Sequence, residues 1–400
     1  MVPFPVIHMK QKEVRYMKTE IIGNIVDISS GNILRNKKVV INNGIITDIL
    51  DNLERIGDGF GDTSESDNYL IPGLIDSHLH LLFSGSGTPL QDFRDLDQEG
   101  LYELALRNAQ MALEWGITTV RDCGSLSDIT FKLREDINNG KVIGARVLTS
   151  GEAVTTRGGH LNFMGIEADT PEEMNKAAEF MLDKGADFIK LIVSGGNTTP
   201  GSKDNVDQYE YENIKSITDY VHSKGKKIMA HVHTKVGMEK CIEAGIDFIE
   251  HGSWRTADGI DVDFHLIKKM YDKKITYGTA LPKSYFINFE EVHKNRIFTT
   301  IENMKYKDNV VIGTDGGTTN NPVKELINQA IYLKEKGKFS NLEILQMLTI
   351  NPGEQVLDGK AGVIKKGLIG DVVVLEGNPL EDLENLKKII AVYKEGKRLR

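Results

Sequence analysis

Two histidines one residue apart end an apolar run in this chain. His78 and His80 close residues 70–80, which read LIPGLIDSHLH. On a β-strand, alternate side chains project from one face, so both imidazoles would point the same way. Two imidazoles placed in this way can bind a single metal ion. Such pairs also occur by chance on surface strands, so the metal hypothesis depends on ligands supplied elsewhere in the chain.

Later apolar runs carry further side chains of metal-binding or ionisable types. In chain order these residues are Lys190 in FIKLIVSGG, His231 and His233 in AHVHT, His251 in IEHGS and Asp315 in GTDGG. His160 follows the third run in TTRGGH. Each has an ordinary explanation when taken alone, since an Asp after a strand is usually a helix N-cap. Because six of the ten histidines fall in these places, we expect one shared site.

Lys190 is the residue that is hardest to explain as structural. It lies within an apolar strand, where an unpaired ammonium is costly. Such a lysine needs a partner, a lowered pKa or a covalent change. Carbamylation by CO₂ would replace its positive charge with a carboxylate on a long stem. The alternative is a metal-free, aldolase-like barrel in which Lys190 is a Schiff-base nucleophile, which leaves the histidines without a role.

The combined ligand set predicts a binuclear hydrolytic site. Imidazoles, one aspartate and a carbamylated Lys190 suit two divalent ions, for which zinc is the expected metal. A hydroxide that bridges two such ions is available near neutral pH, because metals acidify bound water. Asp315 would accept its proton and return it to a leaving nitrogen. We therefore predict cleavage of an amide bond, with a lactonase or phosphotriesterase that uses the same site as the alternative.

The elements that must position these side chains follow a regular alternation over residues 70–355. Eight short apolar runs each end in Gly or polar residues, and helical stretches that often finish in Lys-Gly or Ala-Gly lie between them. The runs are 70–80, 116–124, 145–151, 187–196, 226–234, 246–253, 274–281 and 309–317. This pattern predicts a (β/α)8 TIM barrel, whose functional side chains lie at the carboxyl ends of the strands. A doubly wound open sheet is the alternative, although no GxGxxG follows the first strand.

Strand-like segments at both chain ends predict a second, smaller domain. Residues 19–69 and 356–400 alternate in the manner of β-strands, and Asn43-Gly44 between two apolar runs indicates a hairpin turn. We expect these ends to form one small β-sandwich domain into which the barrel is inserted. Residues 57–68 are predicted to be a polar loop, and residues 1–18 a loose leader.

Composition excludes several classes of protein. The chain has 400 residues, 40% of them hydrophobic, and a net charge of −9 without a basic block, which argues against nucleic-acid binding. Cys123 and Cys241 cannot form a disulfide framework, so a reducing cytoplasm is expected. No stretch has the length of a membrane span, and MVPFPVIHMK is not a convincing signal peptide. We expect a cytoplasmic enzyme that acts on a small molecule.

The ordered motifs resemble the amidohydrolase superfamily over residues 20–400. PGLIDSHLH, Lys190, AHVHT, IEHGS and GTDGG occur in that order, and GDVVVLEGNPLED near the end is similar to the same group. TTRGGH, VSGGNTT and AHVHT resemble the imidazolonepropionase-related, prolidase-like branch. This resemblance implies a binuclear zinc enzyme that cleaves Xaa-Pro, Xaa-Arg/Lys or related dipeptides. Imidazolonepropionases themselves are mononuclear and lack the lysine, so Lys190 argues against that activity.

The resemblance also implies a role for each residue. The more buried metal would be held by His78, His80, Lys190 and Asp315, and the other by Lys190, His231 and His251. His160 and His233 would face the substrate near its carbonyl or its carboxylate.

Two further expectations concern substrate and assembly. Arg157 departs from the branch, and it either grips a substrate carboxylate or points to solvent. Barrels of this type often assemble, so a homo-oligomer is expected. A non-catalytic assembly protein is disfavoured, because no ligand position is lost.

Overall fold

The computed structural model describes residues 18–56, 59–62, 67–282, 291–304 and 307–400. The leader predicted for residues 1–18 lies outside these residues, except that Lys18 is the first residue of the first strand. Within the described ranges, no helix combines the length and the apolar character that a bilayer crossing requires.

The strands are numbered in chain order. The first six are β1 (Lys18–Val26), β2 (Ile33–Asn42), β3 (Ile45–Asp51), β4 (Leu53–Ile56), β5 (Gly59–Asp62) and β6 (Tyr69–Pro72). The next six are β7 (Leu74–Leu79), β8 (Ile117–Asp122), β9 (Arg146–Thr149), β10 (Ala153–Thr155), β11 (Gly165–Glu167) and β12 (Ile189–Ile192). The last eight are β13 (Ile228–Thr234), β14 (Phe248–Thr256), β15 (Gly259–Ile260), β16 (Thr276–Gly278), β17 (Val310–Val311), β18 (Val372–Leu375), β19 (Ile389–Lys394) and β20 (Lys397–Arg398).

Both chain ends contribute to one seven-stranded sheet, which has the order β20-β19-β18-β6-β1-β2-β3. Its buried face is apolar because alternate residues point inward, and it includes Ile25, Ile41, Leu70 and Val372. The prediction of a β-domain built from both ends is confirmed at the level of this sheet, whereas a second sandwich layer stays a prediction. β4 and β5 pair as a hairpin, so part of the stretch predicted as a loop is a strand.

The run at residues 70–80, predicted as the first strand of the barrel, contains two strands that belong to different sheets. β6 belongs to the end sheet, where it pairs parallel to β1 and antiparallel to β18. β7 begins two residues later and pairs with β8. Gly73 separates them, and a Cβ there would lie only 2.0 Å from the Thr118 hydroxyl oxygen. The end sheet therefore leads directly into the first strand of the barrel.

The parallel strands form a TIM-barrel-like α/β fold. β12, β13, β14, β16 and β17 are neighbours in one parallel ladder, and β7, β8 and β9 are neighbours in another. The Asp187 amide donates to the Thr149 carbonyl at 3.0 Å, and Leu79 bridges Gly316 in parallel, so the two ladders meet on both sides. Each of the eight predicted runs contains a strand, and an open sheet does not describe these contacts.

Helices follow the strands around the barrel. They are α1 (Pro89–Asp95), α2 (Gln98–Glu114), α3 (Ser127–Asn138), α4 (Pro171–Asp183), α5 (Tyr211–Ser223), α6 (Lys235–Ala244), α7 (Phe264–Asp272), α8 (Glu291–Asn303), α9 (Leu326–Gly337), α10 (Asn341–Leu348) and α11 (Ile350–Leu357). Local sequence explains their ends. Thr170 and Glu173 form a capping box at the start of α4, and Gly245 adopts the left-handed conformation after α6.

Candidate metal centre and active site

The predicted histidines meet at the carboxyl end of the barrel, around a cavity of about 160 Å³. β7 carries His78 and is followed directly by His80, β13 carries His231 and His233, and β14 carries His251. All of these except His78 line the cavity, and so do His160, Lys190 and Asp315. His78 is fully buried beside His80, with 5.5 Å between their ring centroids.

The first ligand cluster consists of His78, His80 and Asp315, whose ligand atoms all lie within 4.8 Å of one another. Asp315 Oδ1 is 3.4 Å from His80 Nε2 and 3.8 Å from His78 Nε2. His78 Nδ1 lies 2.9 Å from a carboxylate oxygen of Glu250, whereas His78 Nε2 is buried and has no hydrogen-bond partner. A nitrogen held in this way by a carboxylate on the other ring nitrogen is well suited to bind a metal.

The second ligand cluster consists of His231, His233 and His251, whose ligand atoms also lie within 4.8 Å of one another. His231 Nε2 is 3.3 Å from the Gly195 carbonyl oxygen, and His233 Nδ1 is 2.7 Å from the Ser253 hydroxyl. His251 Nδ1 is 3.3 Å from the carbonyl oxygen of Ala280. The cluster adjoins the first, since the rings of His251 and His78 are 5.3 Å apart.

Burial favours the uncharged form of five of these imidazoles. It lowers the pKa of His78, His231 and His233 well below the ordinary value of 6.5. It lowers the pKa of His160 to about 3 and that of His251 to about 4. A neutral imidazole offers a lone pair and adds no positive charge, so the donor set fits one or more divalent cations.

Lys190 lines the same cavity from β12 and is 1% exposed. Burial lowers the pKa of its amine from the ordinary value of 10.5. Its Nζ lies 3.6 Å from the sulfur of Met229, and no carboxylate of the described residues is within salt-bridge distance of it. The side chain is therefore buried, and no carboxylate of the described residues pairs with it.

Two of the gathered residues have strained backbones. His251 has a φ of 66° and Asp315 a φ of 54°, in the left-handed region that residues other than glycine rarely adopt. Asp315 is held there by its own backbone, because its amide donates to the His78 carbonyl at 2.8 Å and its carbonyl accepts from the Asn321 side chain at 2.8 Å. The strain turns both side chains toward the cavity.

Two buried carboxylates beside the site were missed by sequence reasoning. Glu250 supports His78, and burial raises its pKa to about 7. Asp76 accepts from the His78 amide at 3.1 Å and from the Thr314 hydroxyl at 2.6 Å, and burial raises its pKa to about 7. The sequence could have indicated both residues, since each is an acidic residue inside an apolar strand next to a histidine motif.

The structure separates the two residues of the third loop. His160 is 4% exposed, its ring lies 4.8 Å from that of His231, and it lines the cavity. Arg157 is not among the residues that line the cavity, and its side chain is 59% exposed. Its guanidinium pairs with Asp169 and with Glu173, and these contacts favour the alternative in which Arg157 points to solvent.

Uncharged side chains form the rest of the cavity wall. Phe83, Leu161 and Pro282 supply apolar surface. The polar wall residues are Asn197, Thr198, Thr318 and Thr319. Phe83 continues into an aromatic cluster, with its ring centroid 5.8 Å from that of Phe93 and 6.3 Å from that of Phe163. In the described part of the chain, Lys190 is the only lysine or arginine in this wall.

Known proteins share this sequence pattern and this fold. Residues 69–399 match the sequence profile of the amidohydrolase family. Ochratoxinase from Aspergillus niger is 25% identical over 375 residues, which span 82% of this chain and 75% of that protein. Imidazolonepropionase from Clostridium tetani is 25% identical over 403 residues, which span 88% and 86% of the two chains. The crystal structure of a Xaa-Pro dipeptidase with methionine in its active site is 24% identical, covers 96% of this chain and 100% of its own, and has a TM-score of 0.81.

Proposed function

Since the chain belongs to the amidohydrolase family and is a hydrolase that acts on amide bonds, we propose that it cleaves a dipeptide or an N-acyl amino acid at a binuclear metal site. The observation that carries this proposal is the pair of adjacent ligand clusters around one cavity that Lys190 also lines. The resemblance to the prolidase-like branch is supported by the family match and by the Xaa-Pro dipeptidase fold.

The residues divide naturally between two cations, with zinc as the proposed metal. His78, His80 and Asp315 would hold one, His231 and His251 the other, and a carbamylated Lys190 would be shared. When bound, divalent metal ions lower the pKa of a coordinated water and polarise a substrate carbonyl. The orphaned Nε2 of His78 supports this assignment, because a buried ring nitrogen otherwise lacks a partner.

Carbamylation of Lys190 is part of the proposal. The neutral amine would attack the carbon of CO₂, forming an N–C bond and releasing one proton, so that the side chain ends with one negative charge. The lowered pKa of Lys190 supports this step, since only an uncharged amine is nucleophilic. The second cluster also contains no carboxylate of its own, so an added anion would balance the charge of its cation.

The remaining site residues act on the substrate and its protons. Asp315 lines the cavity and is placed to take a proton from the attacking water and to return it to the leaving nitrogen. His160 and His233 lie on the same wall, where their ring nitrogens can donate to the substrate carbonyl or carboxylate. The apolar wall of Phe83 and Leu161 favours an apolar group on one side of the scissile bond.

Two measurements test this function. Protein produced with added zinc should contain about two metals per chain, as the donor set implies, and fewer than one metal in a fully folded sample would count against it. A substrate panel should include Xaa-Pro and Xaa-Arg dipeptides, N-acyl amino acids, lactones and aryl phosphotriesters. Activity confined to esters would replace the amide assignment with the lactonase or phosphotriesterase alternative.

A third measurement tests the metal-free alternative. Borohydride reduces a Schiff base to a stable amine, so it would trap a carbonyl substrate on Lys190 if that lysine were a nucleophile. We expect no adduct at Lys190. A trapped adduct would overturn the binuclear proposal.

A further inference from the structure

A second buried basic side chain lies inside the barrel and takes no part in the proposed chemistry. Arg121 on β8 is 2% exposed. Its guanidinium carbon is 3.9 Å from the centre of the Phe188 ring and 4.0 Å from that of the Phe248 ring, so the group is sandwiched between two aromatic faces. Phe188 precedes β12, and Phe248 is the first residue of β14. The sandwich therefore lies at the amino end of the strands, opposite the histidines.

No carboxylate of the described residues lies within salt-bridge distance of Arg121, although Glu250, Asp247 and Asp187 attract its charge from farther away. Its Nη1 is buried and has no hydrogen-bond partner, and none of the ion pairs found in the described ranges includes it. Arginine does not escape this situation by losing its proton, as a lysine can. Contacts with ring faces offset only part of the cost of burying a charge. A missing anion would complete the environment of this side chain.

Arg121 lines a cleft of about 180 Å³ at the floor of the barrel. The other walls come from β9, from the residues that precede β12 and β13, and from the end of α11 and the residue after it. These residues include Leu148, Asp187, Lys226, Lys227, Gln355 and Asp358. The cleft shares no lining residue with the histidine cavity. It is a separate site, reached from the opposite face of the barrel.

The charges in this cleft favour an anion. One oxygen of the Asp187 carboxylate, Oδ2, accepts from Arg134 at 2.6 Å and from the Thr149 amide at 2.9 Å. Asp358 lies 3.7 Å from Lys227, which is a weak pair at the surface. Two basic lining residues, the exposed Lys226 and the buried Arg121, form none of the ion pairs found in the described ranges.

We propose that the floor cleft binds a small oxyanion of the size of inorganic phosphate, which pairs with the guanidinium of Arg121. The cleft of about 180 Å³ has room for a tetrahedral oxyanion. The planar guanidinium is suited to bind two oxygens of such a group at once. An anion that binds only the folded chain stabilises it, so the site would tie the stability of the barrel to anion concentration.

The test uses the metal-loaded, full-length protein and inorganic phosphate at constant ionic strength. The Tm should rise with the logarithm of phosphate concentration, by about 3 °C at a hundredfold excess over Kd for a chain of this size. Arg121→Met should abolish this rise while filling the space between the two rings. Lys132→Met is the matched control, because Lys132 also lies over an aromatic ring, at 3.8 Å from Tyr102, but is exposed and outside the cleft.

Two outcomes would overturn the proposal. One is a phosphate response that Arg121→Met retains, which would place the anion elsewhere, such as at the metal centre. The other is the absence of any response in the unsubstituted protein. If Arg121→Met does not fold, Arg121→Lys keeps the charge without the planar fork and should weaken phosphate binding about tenfold. A crystal structure grown in phosphate should then show the anion against residue 121, and an empty cleft at saturating phosphate would contradict the site.

Discussion

The two ligand clusters differ in the groups that contact the ring nitrogens of their histidines. In the first cluster, His78 rests on the carboxylate of Glu250, and Asp315 is itself a ligand. In the second, a ring nitrogen of His231 and one of His251 each contact a backbone carbonyl oxygen, and a ring nitrogen of His233 contacts a hydroxyl. The first cluster therefore has one acidic ligand and one acidic group beside it, whereas the second has neither.

This difference predicts that metal binding depends more strongly on Lys190 at the second cluster than at the first. A divalent cation among neutral imidazoles keeps its full charge in a poorly solvated place, which is unfavourable unless an anion is near. Asp315 and Glu250 can supply that charge in the first cluster. The second must receive it from elsewhere, and under the proposed function it comes from the carbamylated lysine. The following changes test this contrast, in order of decreasing effect.

Removal of the lysine should affect the second cluster most. We expect Lys190→Ala to lose one of two metals and all measurable turnover, because no anion remains for the cation held by His231 and His251. A short carboxylic acid added to the solution should restore part of both. Lys190→Arg should stay inactive, since a guanidinium is not carbamylated. Metal analysis and rate measurements check this, with the exposed Lys176→Ala as control; retention of both metals in Lys190→Ala would refute the contrast.

The Asp315→Asn variant should separate proton transfer from metal binding. An amide oxygen can still contact a cation but does not accept the proton, so turnover should fall by about 10²–10⁴-fold while most metal is retained. Asp258→Asn, at an exposed position, is the matched control. The assay is kcat and metal content on the same samples. A near-normal rate would show that Asp315 is not the proton acceptor.

The Glu250→Gln variant should weaken only the first cluster. Loss of the carboxylate behind His78 should lower metal affinity at that cluster by about 10–100-fold, as for other outer carboxylate partners of metal-bound histidines. The second cluster should keep its affinity. Competition with a chelator would reveal one weakened and one unchanged metal, with Glu239→Gln as the exposed control. Equal weakening of both would mean that the clusters do not differ in this way.

The Ser253→Ala variant should have the smallest effect of the four. It removes the 2.7 Å hydrogen bond to His233 Nδ1 and leaves the ring less well oriented. A single neutral hydrogen bond contributes about 0.5–1.5 kcal/mol, so kcat/KM should fall by about two- to tenfold. The expected change is in KM, because His233 is proposed to face the substrate. Ser223→Ala on the outer helix α5 serves as control, and a loss of metal instead of substrate affinity would make His233 a ligand.

Sequence periodicity was sufficient to predict the barrel-like architecture. Runs of buried residues separated by amphipathic helices predicted the barrel, and the Asn43-Gly44 turn predicted the hairpin of β2 and β3. It was not sufficient at residues 70–80, where two strands of different sheets follow one another across Gly73. An apolar run looks the same in either sheet, because burial and not the partner strand determines its composition.

The sequence by itself determined which side chains are available and the order in which they occur, from the His78 pair to Asp315, because strand periodicity and strand ends are local properties. Only the tertiary structure decided what each one contacts. Glu250 meets His78 across 172 residues of chain, and Arg157 turns toward Asp169 instead of the cavity. Even the orientation of Asp315 depends on a left-handed backbone that is held by contacts with β7. Such contacts join distant segments, so no local pattern of residues predicts their free energies.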